Sequence, residues 1–166
     1  YTDLFKDMIT DWRSKWNSDF TFIFAQLPNY ANQNNRWITL RESQAKALEL
    51  KNTGMAVLID AGTDDNIHPI HKQIVGKRMA TIAGNLAYDN KKISASAPVF
   101  EKYKTEGNSI MVTFKNGTFA ATTPKSGITG FMIAGSDNKF YPVNGSLQND
   151  MKTIKLSSDK VPEPKA

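Results

Sequence analysis

Apolar residues fall at Leu4, Phe5, Met8, Ile9, Trp12 and Trp16, steps of three and four that gather them on one stripe of an amphipathic helix. That stripe places Trp12 and Trp16 in the core. Phe20 to Leu27 is an almost unbroken apolar, β-favouring run stopped by Pro28, as in a strand buried on both faces. The polar stretch Asn29 to Asn35 predicts a loop. A helical pattern returns from Arg36 to Leu50 through Trp37, Leu40, Gln44, Ala47 and Leu48, and Gly54 to Ile59 predicts a second buried strand. Asp60 to Ile67 is polar and turn-like. A long helix then begins near Pro69, with Ile70, Ile74, Val75, Met79, Ile82, Ala83 and Leu86 at helical spacing and the proline suited to a first turn, where its missing N–H costs nothing. Alternation of helix and strand predicts part of an α/β fold with a parallel sheet.

After Tyr88 the pattern changes. Strand-like runs at Ile93–Ala97, Ser109–Phe114, Thr118–Thr122, Gly130–Ala134, Lys139–Pro142 and Met151–Leu156 alternate with Gly, Asn and Asp turns, which predicts a small all-β sandwich or jelly-roll-like module. The boundary falls near Ala97-Pro98, giving an α/β domain over residues 1–97 and a β-sandwich-like accessory module over residues 98–166. The chain begins at Tyr1, inside a helical pattern and without Met, and ends at Val161-Pro162-Glu163-Pro164-Lys165-Ala166 with no evident terminal element. A piece of a longer protein, cut at both ends, is the expectation.

Composition narrows the function classes. The net charge of +5 permits acidic partners, but the 21 Lys and Arg are scattered, with none of the basic blocks interleaved with aromatics that nucleic-acid binding calls for. With no cysteine in the 166 residues, disulfides and thiolate metal sites are excluded. No run within residues 1–166 has the pattern of a membrane span or a signal peptide, which says little for a chain that begins inside a helical pattern.

The chemistry concentrates after the second strand, where loops at the carboxyl ends of a parallel sheet gather ligands. The segment reads Asp60-Ala61-Gly62-Thr63-Asp64-Asp65-Asn66-Ile67-His68-Pro69. Asp65 and His68 are spaced so that a turn can bring the carboxylate to one imidazole nitrogen while the other faces a nucleophile, the acid–base half of an acyl-transfer site. The same residues also suit a turn or helix cap with His68 simply exposed, and spacing alone favours that reading. His71 pairs with His68 at a three-residue step but has no third ligand in register, so no metal is expected.

Several blocks in order carry a family resemblance: Leu4-Phe5-Lys6-Asp7-Met8-Ile9-Thr10-Asp11-Trp12-Arg13, Phe24-Ala25-Gln26-Leu27, Trp37-Ile38-Thr39-Leu40-Arg41-Glu42-Ser43-Gln44, Asn52-Thr53-Gly54-Met55-Ala56-Val57, Asp65-Asn66-Ile67-His68-Pro69 and, later, Gly130-Phe131-Met132-Ile133-Ala134-Gly135 with Asp137-Asn138-Lys139-Phe140-Tyr141-Pro142. Together they resemble the sialate O-acetylesterases, a family of SGNH-type hydrolases. The resemblance implies that residues 1–97 are the C-terminal part of a three-layer SGNH-hydrolase-like parallel-sheet fold. It implies that His68 is the general base and acid, oriented by Asp65, with no cofactor. The Ser nucleophile and oxyanion-hole residues of the family belong to blocks upstream of Tyr1, so no nucleophile is expected in this chain and the chain alone should be inactive. Ser43 lies within a helix and Ser136 in a Gly135-Ser136-Asp137 hairpin turn, neither being the strained strand-to-helix turn that exposes a nucleophile.

The expected substrate is O-acetylated sialic acid, releasing acetate. The alternatives are an acetylated plant or bacterial polysaccharide, or a non-catalytic module that binds glycan or braces the hydrolase. Arg41 could clamp a sugar carboxylate and Trp37, beside the polar loop, could stack on a sugar face, although a surface salt bridge and core packing are the simpler roles. Asn116-Gly117-Thr118 and Asn144-Gly145-Ser146 match glycosylation acceptors but read more simply as hairpin turns. The expected protein partner, by the same resemblance, is the N-terminal half of the same protein. Without it the α/β part should self-associate through an open strand edge or rearrange. By resemblance the location is secreted or periplasmic, or lysosomal in a eukaryote.

Overall fold

The structure, a computed structural model, describes residues 1–31, 34–93, 97–116 and 127–166. They form two compact units, Tyr1–Ser96 and Ala97–Ala166.

The first unit runs α1 (Thr2–Lys15), β1 (Phe22–Ala25), α2 (Asn34–Ala45) continued by a 3-10 turn (Lys46–Glu49), β2 (Thr53–Ala56) and α3 (Lys72–Leu86). The two strands pair in parallel, with Phe22 opposite Thr53 and Ala25 opposite Ala56. Alternation along β1 sends its side chains to two cores. Phe22 and Phe24, with Met55, join Ile9, Phe5, Met8 and Ala47 under α1, whereas Ile23 and Ala56 join Leu58, Ala61 and Ile82 under α3. Burying each such aliphatic side chain contributes about 2 kcal/mol. Helix α3 comes close to β2 because position 54 is glycine: a Cβ there would lie 2.3 Å from Cγ2 of Ile82.

Two expectations are corrected here. Trp12 and Trp16 are 44% and 67% exposed rather than core. A two-stranded ribbon offers α1 a narrow floor, which Phe5, Met8 and Ile9 fill. The tryptophans lie past its margin, with Trp12 against the edge of Phe22 and Trp16 against Phe20. Pro69 is not in the first turn of α3, which starts at Lys72. Pro69 is instead buried in the approach to the helix.

The second unit contains β3 (Val99–Glu106), β4 (Ser109–Lys115), β5 (Ile128–Ala134), β6 (Phe140–Leu147) and β7 (Thr153–Ser157). They join in one antiparallel sheet of order β3-β4-β7-β6-β5. Among the described residues this is a single five-stranded sheet, not the two facing sheets expected of a sandwich. The reason lies in β6, which pairs with β5 from Phe140 to Gly145 and with β7 through Ser146 and Leu147, so it ties both sets of strands together. Ile110, Ile133, Ile154, Leu156 and Val161 form the core. The chain end is part of it: Pro164 is fully buried, and the amides of Lys165 and Ala166 donate to the carbonyl of Ala134 at 2.8 and 3.1 Å. Strand β3 is exposed along its whole length, and its run of charges, Glu101, Lys102 and Lys104, hid it from a reading based on apolar alternation. The expected strand at Thr118–Thr122 lies outside the described residues, as does most of that at Ile93–Ala97.

Candidate functional site

The loop from Asp60 to Pro69 leaves the end of β2 and enters α3, at the carboxyl end of the parallel pair, where such sheets place their ligands. Its root is fixed by local hydrogen bonding and one ion pair. The Ala61 amide donates to the Leu58 carbonyl at 3.0 Å, and Arg78 of α3 binds both carboxylate oxygens of Asp60, at 2.6 and 2.7 Å. The tip is a tight turn in which Thr63 and Asn66 bridge. Asp65 sits in that turn, its Oδ1 accepting from the Thr63 hydroxyl at 2.8 Å. The Asn66 side chain then accepts from the His68 amide at 2.8 Å, an Asx turn that directs the chain toward the helix.

Asp65 and His68 are both exposed. Among the described residues no hydrogen bond joins them, so the spacing that permits a carboxylate–imidazole pair does not form one here. The Asp65 carboxylate is occupied by Thr63 instead, and the His68 imidazole is open to an incoming group. His71 precedes α3 without a side-chain capping bond. Among the described residues no group of three His, Asp or Glu side chains is placed to hold a metal ion.

The two other residues singled out by sequence lie on α2. The Trp37 indole N–H donates to the Pro28 carbonyl at 2.7 Å and its ring packs against Tyr30, so its polar edge is spent on the loop after β1. Arg41 makes none of the ion pairs found among the described residues. Its Nε is buried without a hydrogen-bond partner, and burial lowers the guanidinium pKa from its ordinary value. Its carbonyl accepts from the Gln26 side chain at 3.1 Å.

Neither serine has the setting of a nucleophile. The Ser43 hydroxyl donates back to the Thr39 carbonyl at 2.8 Å within α2. Ser136 borders an open groove of about 240 Å³ with Asp137, Tyr141, Lys160 and Glu163, where no imidazole lies among the lining residues.

Sequence reasoning missed the residues that bind this loop to its surroundings: Asn29, Gly62, Asp60 and Arg78. The Asn29 side chain accepts from the Gly62 amide at 2.8 Å, and the Ala31 amide donates to the Asp64 carbonyl at 3.1 Å. Partners 33 residues apart leave no periodic trace in a sequence. The one available sign was a glycine inside a polar loop.

No protein-family model matches the sequence. A mouse sialate O-acetylesterase is 32% identical over an alignment covering 61% of this chain and 23% of the mouse protein. Among solved structures, a carbohydrate acetylesterase from Xanthomonas citri superposes with a TM-score of 0.83 and 34% identity, covering 99% of this chain and 39% of that one. The chain thus spans well under half the length of either relative. With about a third of the aligned residues identical in both comparisons, and one fold shared with the Xanthomonas protein across nearly its whole length, the chain is similar to sialate and carbohydrate acetylesterases.

Proposed function

We propose that residues 1–166 supply the histidine–aspartate part of a carbohydrate O-acetylesterase acting on O-acetylated sialic acid or a related acetylated glycan. The observation that carries this reading is an open His68 imidazole, three residues after Asp65, in the loop at the carboxyl end of a parallel strand pair, within a chain related to O-acetylesterases. In this reading the nucleophile is a serine outside residues 1–166. His68 takes the serine proton as the oxygen attacks the acetyl carbonyl, then delivers that proton to the departing sugar hydroxyl. It next takes a proton from water, whose oxygen attacks the acetyl-enzyme, and acetate leaves as the proton returns to serine. Asp65 exchanges its bond with Thr63 for one with the imidazole, fixing the tautomer and stabilising the imidazolium.

The relation to sialate and carbohydrate acetylesterases supports the substrate class, and the share of those proteins' length that this chain spans supports a nucleophile elsewhere. The test is turnover of an acetylated sugar by the natural gene product. His68→Ala should lower kcat by about three orders of magnitude or more, and Asp65→Asn by a comparable or smaller factor. Both residues are exposed, so thermal stability should be unchanged. Residues 1–166 alone should not hydrolyse an aryl acetate above the level of their own His68→Ala variant. Near wild-type turnover without His68 would overturn the reading.

A further inference from the structure

We propose that Asn29 is a positioning residue for the Asp65–His68 turn, acting through Gly62. The proposal rests on the acid–base roles given above to His68 and Asp65.

The segment after β1 and the loop after β2 leave adjacent ends of the parallel pair and are laced together at successive points. The Trp37 indole N–H holds the Pro28 carbonyl at 2.7 Å, which fixes the peptide next to Asn29. The Asn29 Oδ1 accepts the Gly62 amide at 2.8 Å. The Ala31 amide meets the Asp64 carbonyl at 3.1 Å, immediately before Asp65. Gly62 makes this seat feasible: a Cβ at that position would stand 2.6 Å from the Asn29 carbonyl oxygen and 2.9 Å from both its Oδ1 and the Pro28 Cβ. Atoms that close admit no side chain, and two of the three offenders belong to backbone or a rigid ring.

The consequence is mechanical. Arg78 fixes the root of the loop at Asp60, but the turn that carries Asp65 lies farther along, and its hold on the neighbouring segment runs through Gly62 and Asp64. A turn bearing a general base must be held to within a fraction of an ångström to act, and a shift of about 1 Å costs on the order of a hundredfold in rate.

The test compares Asn29→Ala and Asn29→Asp in the natural gene product, with amide hydrogen exchange over residues 61–68 and steady-state turnover of an acetylated sugar. Asn29→Ala should speed exchange at Gly62 by about tenfold or more and lower kcat by about tenfold or more, with KM within about twofold. Asn29→Asp keeps an acceptor oxygen and should restore most of both. Unchanged exchange at Gly62 would overturn the latch, whatever His68 proves to do. Faster exchange with unchanged kcat would leave a structural contact only and would overturn the positioning role. So would an equal loss in both variants accompanied by a lower melting temperature. Failure of the acid–base reading would show separately, as full turnover in His68→Ala.

Discussion

The guanidinium of Arg78 grips both carboxylate oxygens of Asp60, at 2.6 and 2.7 Å, and also donates to the Val57 carbonyl at 2.7 Å. One side chain of α3 therefore closes the end of β2 and the start of the functional loop together. The Arg78 hydrogen bond holds the Asp60 carboxyl below its ordinary pKa, and Asp60 in turn raises that of Arg78.

The sign of the pH dependence follows. A carboxyl whose folded pKa is depressed adds stability that is fully present above its unfolded value, about 3.9, and is lost as pH falls through the lower folded value. Both side chains are more than a third exposed, so screening keeps the pair's contribution small. Arg78→Ala should cost about 1 kcal/mol near neutrality, including the lost bond to Val57. The difference from wild type should narrow below about pH 4. Urea unfolding of the first unit at pH 7 and pH 3 measures it, and a difference that grew on acidification would contradict the assignment.

Gly54 should tolerate no side chain. A Cβ there would lie 2.3 Å from Cγ2 and 3.7 Å from Cβ of Ile82, a β-branched residue 5% exposed, and 3.0 Å from Cδ1 of Leu86. Ile82 has little rotamer freedom within a helix, so α3 itself would have to move. Gly54→Ala is expected to destabilise the first unit by about 1–3 kcal/mol, read as a lower urea midpoint for the amides of β1 and β2. The amides of β4 and β7, in the other unit, serve as the internal reference.

Among the described residues strand β1 has one neighbour, β2, and its other edge is open, while Leu4, Trp12 and Trp16 of α1 are exposed. Open edges and exposed apolar faces seek partners. Residues 1–166 in isolation should therefore self-associate, with sedimentation coefficients that rise with concentration. Lysine at position 12 should weaken that association. A monomer resistant to concentration, with β1 amides as protected as those of β7, would contradict it.

Much of this protein follows from local rules acting on neighbouring residues. The stripe Phe5, Met8 and Ile9 and the apolar runs around Phe24 and Ala56 determined helix, strand and their alternation, because burial of one face dictates a period of 3.6 or 2. The turn at Asp65 was legible as well, since Asp and Asn act on their own backbone, whereas the start of α3 was not: the helix begins at Lys72, past Pro69. What the sequence left open depends on which surfaces meet. Trp12 and Trp16 share the stripe of Ile9 yet are exposed, because the extent of the floor beneath α1 is set by β1 and β2 rather than by the helix. Strand β3, charged and exposed throughout, owes its place to pairing with β4. Asp65 meets Thr63, two residues away, rather than His68, a choice that spacing left open. That Asn29 should find Gly62 across the ends of two strands was decided by tertiary packing: the bond joins a side chain and a backbone amide 33 residues apart, whose distance is fixed only when the sheet has formed.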